Sequence, residues 1–273
     1  MKQVPRFVLL ALYALVVVVP LGWVLVSSFK RGDEIFQSPW ALPQALQFSN
    51  YVDAWKDGNI GGFAFNSIVA TLGTLIILLP IGAMAAYVLA KYPFRGSKLI
   101  YVLFISGMMF PNFLVAVPLY LLMNSLGLNN SLIGLVVAYV AYSLSFTIFV
   151  LHGFFQTLPN ELGEAAMIDG CSHGKTFFRV MFPLARPGIL VVGVFNAIGL
   201  WNEYNLAKVL FASDKDNSTL PIGITNMVTA QQYASNWGAT FAALVIVMLP
   251  VMIVYWFFRD KIHETMLAGA VKG

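Results

Sequence analysis

Glu203 stands in Trp201-Asn202-Glu203 within an apolar run, with Asn196 and Asn205 close by. An ionisable side chain in a membrane-spanning stretch is costly, and it usually faces a bundle interior or a water-filled path. A carboxylate there could carry a proton or gate a path. Nearer the outer interface its cost would be small. Lys208 is a loose candidate partner. Tryptophan and asparagine suit a sugar, because a flat apolar ring stacks and amides bond hydroxyls. Asn196, Trp201, Asn202, Glu203 and Asn205 are therefore the candidates for a substrate path or gate.

Other constellations carry less. Residues 170–176, GCSHGKT, nearly imitate a phosphate-binding loop. That motif needs four residues between its glycines, and here there are three. Counting four back from Gly174-Lys175 puts Asp169 where glycine belongs, and a carboxylate there repels phosphate. ATP binding by this chain is not expected. His152 and His173 have no i+4 partner or carboxylate cluster, so no metal site is expected, and His152 reads as a satisfied core residue. The single cysteine, Cys171, excludes an internal disulfide and a cysteine-cluster metal site. Asn217-Ser218-Thr219 matches a glycosylation acceptor, a pattern frequent by chance. No Ser/His/Asp or Cys/His arrangement supports catalysis.

The elements that must position these residues follow from composition. The 273 residues are 59% hydrophobic and 10% charged, with mean hydropathy +0.78. A soluble domain carries about 25% charged residues. The reading is a single all-α, polytopic membrane domain over residues 1–273, with six transmembrane helices. The expected spans are residues 7–26, 63–90, 99–123, 132–155, 188–210 and 237–258. About 20 apolar residues cross a bilayer core. The first run is longer than a signal peptide's apolar region and reads as an uncleaved span. Ser49 can cap a short amphipathic helix holding Tyr51, Val52 and Trp55. Pro80, Pro111 and Pro118 are expected to kink their spans.

Lysine and arginine placement sets orientation. Lys2, Arg6, Lys91, Arg95, Lys98, Lys175, Arg179, Arg186, Arg259, Lys261 and Lys272 fall on one side, against Lys30, Arg31, Lys56, Lys208 and Lys215 on the other. The richer side is expected in the cytosol, with both termini.

The most polar part of the second half, residues 159–187, then lies in the cytosol. Pro159 can open a helix, and Leu162, Ala165, Ala166 and Asp169 fall on one face of it. Gly170 is placed to stop that helix in the left-handed region. Ser172 can cap a second helix carrying Phe177, Phe178, Met181 and Phe182, which Pro183 and Pro187 break. The result is a helix-turn-helix whose small residues leave room for another backbone.

Glu164-Ala165-Ala166, then Gly170, then Pro183-Leu184, resemble the EAA loop of ABC importer permeases. EAAMIDG followed by FPL is similar to the carbohydrate-uptake class, relatives of the maltose transporter's membrane subunits. Phe65-Asn66-Ser67, Pro118-Leu119-Tyr120, Leu126-Gly127-Leu128, Trp201-Asn202-Glu203 and the ending at residues 268–273 extend the resemblance over nearly the whole chain. The resemblance implies a prokaryotic inner-membrane permease that is half of a heterodimeric translocation unit working by alternating access. Its partners would be a second homologous permease, two ATP-binding subunits, an extracytoplasmic solute-binding protein, a sugar and membrane lipids, with no nucleic acid. ATP and Mg would sit on the ATP-binding subunits, and this chain would hold no cofactor. Glu164, Ala165, Ala166, Asp169, Gly170, Pro183 and Leu184 would couple it to the ATPase, and the tail at 268–273 could also touch it. The alternative is an ion-coupled secondary transporter using Glu203, which leaves the loop and tail unexplained. A membrane enzyme is a third class, with no nucleophile or metal cluster to support it.

Overall fold

A computed structural model describes residues 3–212, 217–234 and 236–270. Lys2, Asp214, Lys215, Asp216 and residues 271–273 of the tail lie outside the described residues. The described residues are helical, with no strand. In chain order the helices are α1 (Gln3–Ser27), α2 (Gly32–Gln37), α3 (Ser49–Lys56), α4 (Ile60–Lys91), α5 (Ser97–Gly107), α6 (Asn112–Ser125), α7 (Leu132–Thr157), α8 (Glu161–Ile168), α9 (His173–Leu184), α10 (Arg186–Trp201), α11 (Asn205–Leu210), α12 (Leu220–Ala234) and α13 (Trp237–Ala270). Four of them, α1, α4, α7 and α13, are long and apolar enough to cross a membrane, and α9 with α10 forms a bent pair that passes the same test together.

Two compact units emerge, Met1–Ala64 with Leu220–Met252, and Phe65–Thr219 with Ile253–Gly273. In the first, Lys30 is fully buried and its ammonium donates to the carbonyls of Ser38 (3.0 Å) and Pro39 (2.9 Å). Asn50 donates to the carbonyls of Ser28 and Lys30, both at 2.8 Å. These bonds satisfy the donors of two buried polar side chains, Lys30 and Asn50. α3 begins at Ser49 itself and its N-cap is Phe48, so Ser49 is not the cap expected of it. The apolar window of α1 is exposed along its length, as a face for lipid or another subunit would be.

In the second unit, two expected continuous spans are broken, for local reasons. The stretch 99–123 becomes α5 and α6, separated at 108–111. Pro111 disfavours helical geometry at Phe110 and has no N–H to donate, so the chain restarts beyond it. Pro118 is tolerated inside α6. The stretch 188–210 becomes α10 and α11, parted at 202–204. α4 ends at Lys91, two residues before Pro93. Pro93 has no N–H to serve the Leu89 carbonyl, and the buried His152 stacks on Tyr101 at 3.9 Å. Ala83 and Tyr87 from α4, Phe155 from α7, Phe177 and Met181 from α9, and Ile189 from α10 form one buried core in this unit. It fixes the frame from which the 159–187 loop projects.

Candidate functional site: a helical loop and a membrane cleft

The loop starts with Asn160 as N-cap of α8, whose first turn carries Glu161 and Glu164. Both carboxylates complement the positive end of the helix dipole. Gly163 and Ala166 face inward, while Glu164 and Ala165 face out. This corrects the shared face expected for Ala165 and Ala166. Ala166 packs into its own chain, and the outward apolar residues are Leu162, Ala165, Met167 and Ile168, the last 86% exposed.

α8 stops in a double-bonded turn. The N–H of Gly170 donates to Met167 O and that of Cys171 to Ala166 O, both at 3.0 Å. Gly170 has φ +82. This hydrogen-bond pair needs a left-handed residue, which glycine adopts without steric cost. Asp169, just before it, is exposed. Ser172 Oγ then accepts from the Lys175 N–H at 3.5 Å and opens α9.

α9 is not broken at Pro183. It widens over Phe177–Met181, where Phe182 N–H reaches Phe177 O, and runs on through Pro183 and Leu184. Pro183 has no N–H for the Arg179 carbonyl, and a widened turn accommodates that lack. The bend comes two residues after Pro183, at the buried Ala185, where α9 and α10 meet at 73°. Pro187 sits in the first turn of α10, where its ring is tolerated.

The loop is tied to α4 by residues that sequence reasoning passed over. Lys91 Nζ donates to Leu158 O and to Asn160 Oδ1, the latter at 2.7 Å. The Tyr92 hydroxyl pairs with His173 Nδ1 at 3.0 Å and with the Tyr87 hydroxyl at 3.2 Å. His173 is thus not isolated. No spacing rule could have paired it with a residue 81 positions away.

The cleft lies in the same unit, between α7, α10 and the break that follows α10. It encloses about 520 Å³ and is lined by Asn196, Asn202, Glu203 and Asn205 among others. Trp201, the fifth candidate, is buried and does not line it. Tyr142 and Phe146 of α7, Phe195 of α10 and Tyr204 also line it, with Gly107 and Gly199. Phe146 and Phe195 meet edge to face at 6.4 Å. Aromatic rings beside amides can stack a sugar ring and bond its hydroxyls. The α7 aromatics carried no sequence signal, because any apolar span contains such residues.

Glu203 is not a free carboxylate. Its Oε1 accepts from the Leu206 N–H at 2.8 Å, and its Oε2 accepts from the Ala207 N–H (3.1 Å) and the Tyr139 hydroxyl (2.9 Å). From the position before the N-cap Tyr204, its carboxylate caps the first-turn N–H groups of α11, where the expected span is interrupted. Asn202 helps by donating from Nδ2 to Ile198 O at 2.8 Å, closing the end of α10. Lys208 lies over the Tyr204 ring at 5.0 Å and makes no ion pair with Glu203. Asn196 is buried, and its amide donates to Thr147 Oγ1 and Val192 O, both at 3.0 Å.

Residues 78–263 match the family model described as binding-protein-dependent transport system inner membrane component. The chain is 43% identical to the diacetylchitobiose uptake system permease protein NgcG of Streptomyces coelicolor, over 97% of this chain and 87% of that one. It is 32% identical to the multiple sugar-binding transport system permease protein MsmG of Streptococcus mutans, over 98% and 96% of the two chains. Its fold matches a chain from the crystal structure of a bacterial ABC transporter involved in the import of the acidic polysaccharide alginate. There the TM-score is 0.75 and the identity 25%, over 94% of this chain and 95% of that chain.

Proposed function

Because the chain belongs to the family of binding-protein-dependent transport system inner membrane components, we propose that it is the membrane-spanning permease subunit of an ATP-driven sugar importer. The family is one of inner-membrane, multi-pass transport subunits rather than enzymes, and it works with ATP-binding and solute-binding partners. The observation that carries the sugar class is the likeness to a diacetylchitobiose permease along nearly the whole chain. The aromatic and amide lining of the cleft suits the same ligand chemistry.

The chain is one half of a translocation unit, completed by a second related permease, two ATP-binding subunits and an extracytoplasmic binding protein. It crosses the membrane six times with both termini in the cytosol, α5 with α6 and α10 with α11 each serving as one interrupted span. It holds no cofactor, and ATP and Mg belong to the ATP-binding subunits. α8 is the coupling helix. The outward residues Leu162, Ala165 and Ile168 enter a groove on the ATP-binding subunit, and Glu164 and Asp169 meet basic groups at its edge. Gly170, Pro183 and Leu184 set the turn and the bend behind it. Closure of the ATP-binding subunits moves α8, and the cleft alternates between the two sides of the membrane. An ion-coupled role for Glu203 is not supported, since its carboxylate is engaged by Tyr139 and α11.

Tagging the chain, extracting it gently from its own membrane and identifying what co-purifies by mass spectrometry tests this reading. The expected companions are a P-loop ATPase and a second permease, after which the accompanying binding protein is screened against sugars. A chain recovered alone, driving uptake in proteoliposomes without ATP, would overturn it.

A further inference from the structure

We infer that Lys91 and Tyr92, at the end of α4, are positioning residues that grip the 159–187 loop on both sides of α8 and carry its movement into the helix bundle. The inference rests on the coupling role proposed for α8. On one side Lys91 holds Leu158 O and Asn160 Oδ1, just before the helix. On the other Tyr92 holds His173, just after it. Tyr92 also packs edge-on against Tyr87 (5.5 Å) and His173 (5.4 Å). Between these points α8 turns only Gly163 and Ala166 inward. A push on its outer face reaches α4 through Lys91 and Tyr92, beside the Tyr87–Phe177 ring contact at 5.2 Å.

From α4 the contact continues. A Cβ at Gly82 would lie 2.5 Å from Thr147 Cγ2, so α4 and α7 touch there without slack. Thr147 Oγ1 accepts from Asn196 at 3.0 Å, and Asn196 lines the cleft. Loop, α4, Thr147, Asn196 and cleft form one unbroken line of packed and hydrogen-bonded groups. Such a line transmits a discrete displacement only if its links hold.

The test uses the assembled transporter with spin labels at two places. One label sits on native Cys171 in the loop, the other on Phe195→Cys at the cleft in a Cys171→Ser background. Mg-ATP with vanadate is the probe. In the parent both labels respond. In the Lys91→Met, Tyr92→Phe double variant the Cys171 label still responds, while the response at Phe195→Cys falls roughly five-fold. An undiminished response there overturns the inference, as does failure of the double variant to assemble, which marks a purely structural role. Tyr92→Phe alone, lacking one oxygen, is expected to show a smaller fall, and no fall again counts against the grip. A parent whose Cys171 label is silent sinks the coupling role of α8 and the grip with it. A responding Cys171 label with an unaltered cleft signal in the double variant overturns the grip alone.

Discussion

Tyr139 donates its hydroxyl to Glu203 Oε2 at 2.9 Å, tying α7 to the first turn of α11. The tyrosine is almost wholly buried, so its hydroxyl depends on that partner. Glu203→Ala removes the cap and leaves the hydroxyl unpaired, at a cost of about 2–4 kcal/mol. Glu203→Gln keeps an oxygen for the Leu206 N–H and loses less. Thermal unfolding of the detergent-solubilised complex measures both. Equal losses would show that the charge, not the capping geometry, matters. Lost uptake at parental stability would assign Glu203 a transport role.

Gly170→Val forces a β-branched side chain to φ +82, which costs about 1–2 kcal/mol and opens the turn after α8. Membrane insertion is expected to survive, with ATP hydrolysis no longer linked to sugar uptake. Uptake and ATPase rates measured together on proteoliposomes decide it. Normal uptake would remove Gly170 from the coupling machinery.

Ile168→Asp places a charge on a side chain that is 86% exposed. Stability should stay within about 0.5 kcal/mol of the parent. Recovery of the ATP-binding subunit in a pull-down should fall about ten-fold, equivalent to roughly 1.4 kcal/mol of binding. Parental recovery would mean that this face docks nothing.

Gly82→Ala brings a methyl to 2.5 Å from Thr147 Cγ2 and is expected to cost about 1–3 kcal/mol through forced separation of α4 and α7. Thr147→Ser removes the offending methyl while keeping the oxygen that Asn196 uses. In the double variant the loss should largely disappear. Additive losses in that cycle would show that the two helices already have slack at this point.

The loop and the cleft were legible to different degrees. Gly170 as a stop and Ser172 as a cap depend on bonds between residues three to five apart, and those bonds are present. The inward turn of Ala166 and the bend at Ala185 depended on what the second unit's core demanded of α8, α9 and α10. Composition could place Phe177 in a helix. It could not say that Phe177 would anchor that helix against Tyr87, 5.2 Å away.

By itself the sequence determined an all-helical membrane chain, its family, and the two polar stretches around Gly170 and Glu203 that are proposed for coupling and for the cleft. Periodicity, charge placement and turn chemistry are local, and they survive without a fold. Only the tertiary structure decided that Glu203 caps α11 instead of standing free, that α7 brings Tyr142 and Phe146 to the cleft, and that Lys91 and Tyr92 hold the loop. The second and third join groups far apart in the chain, and the first sets which donors one carboxylate accepts from. Hydrogen bonds of that kind form only once packing has excluded the alternatives.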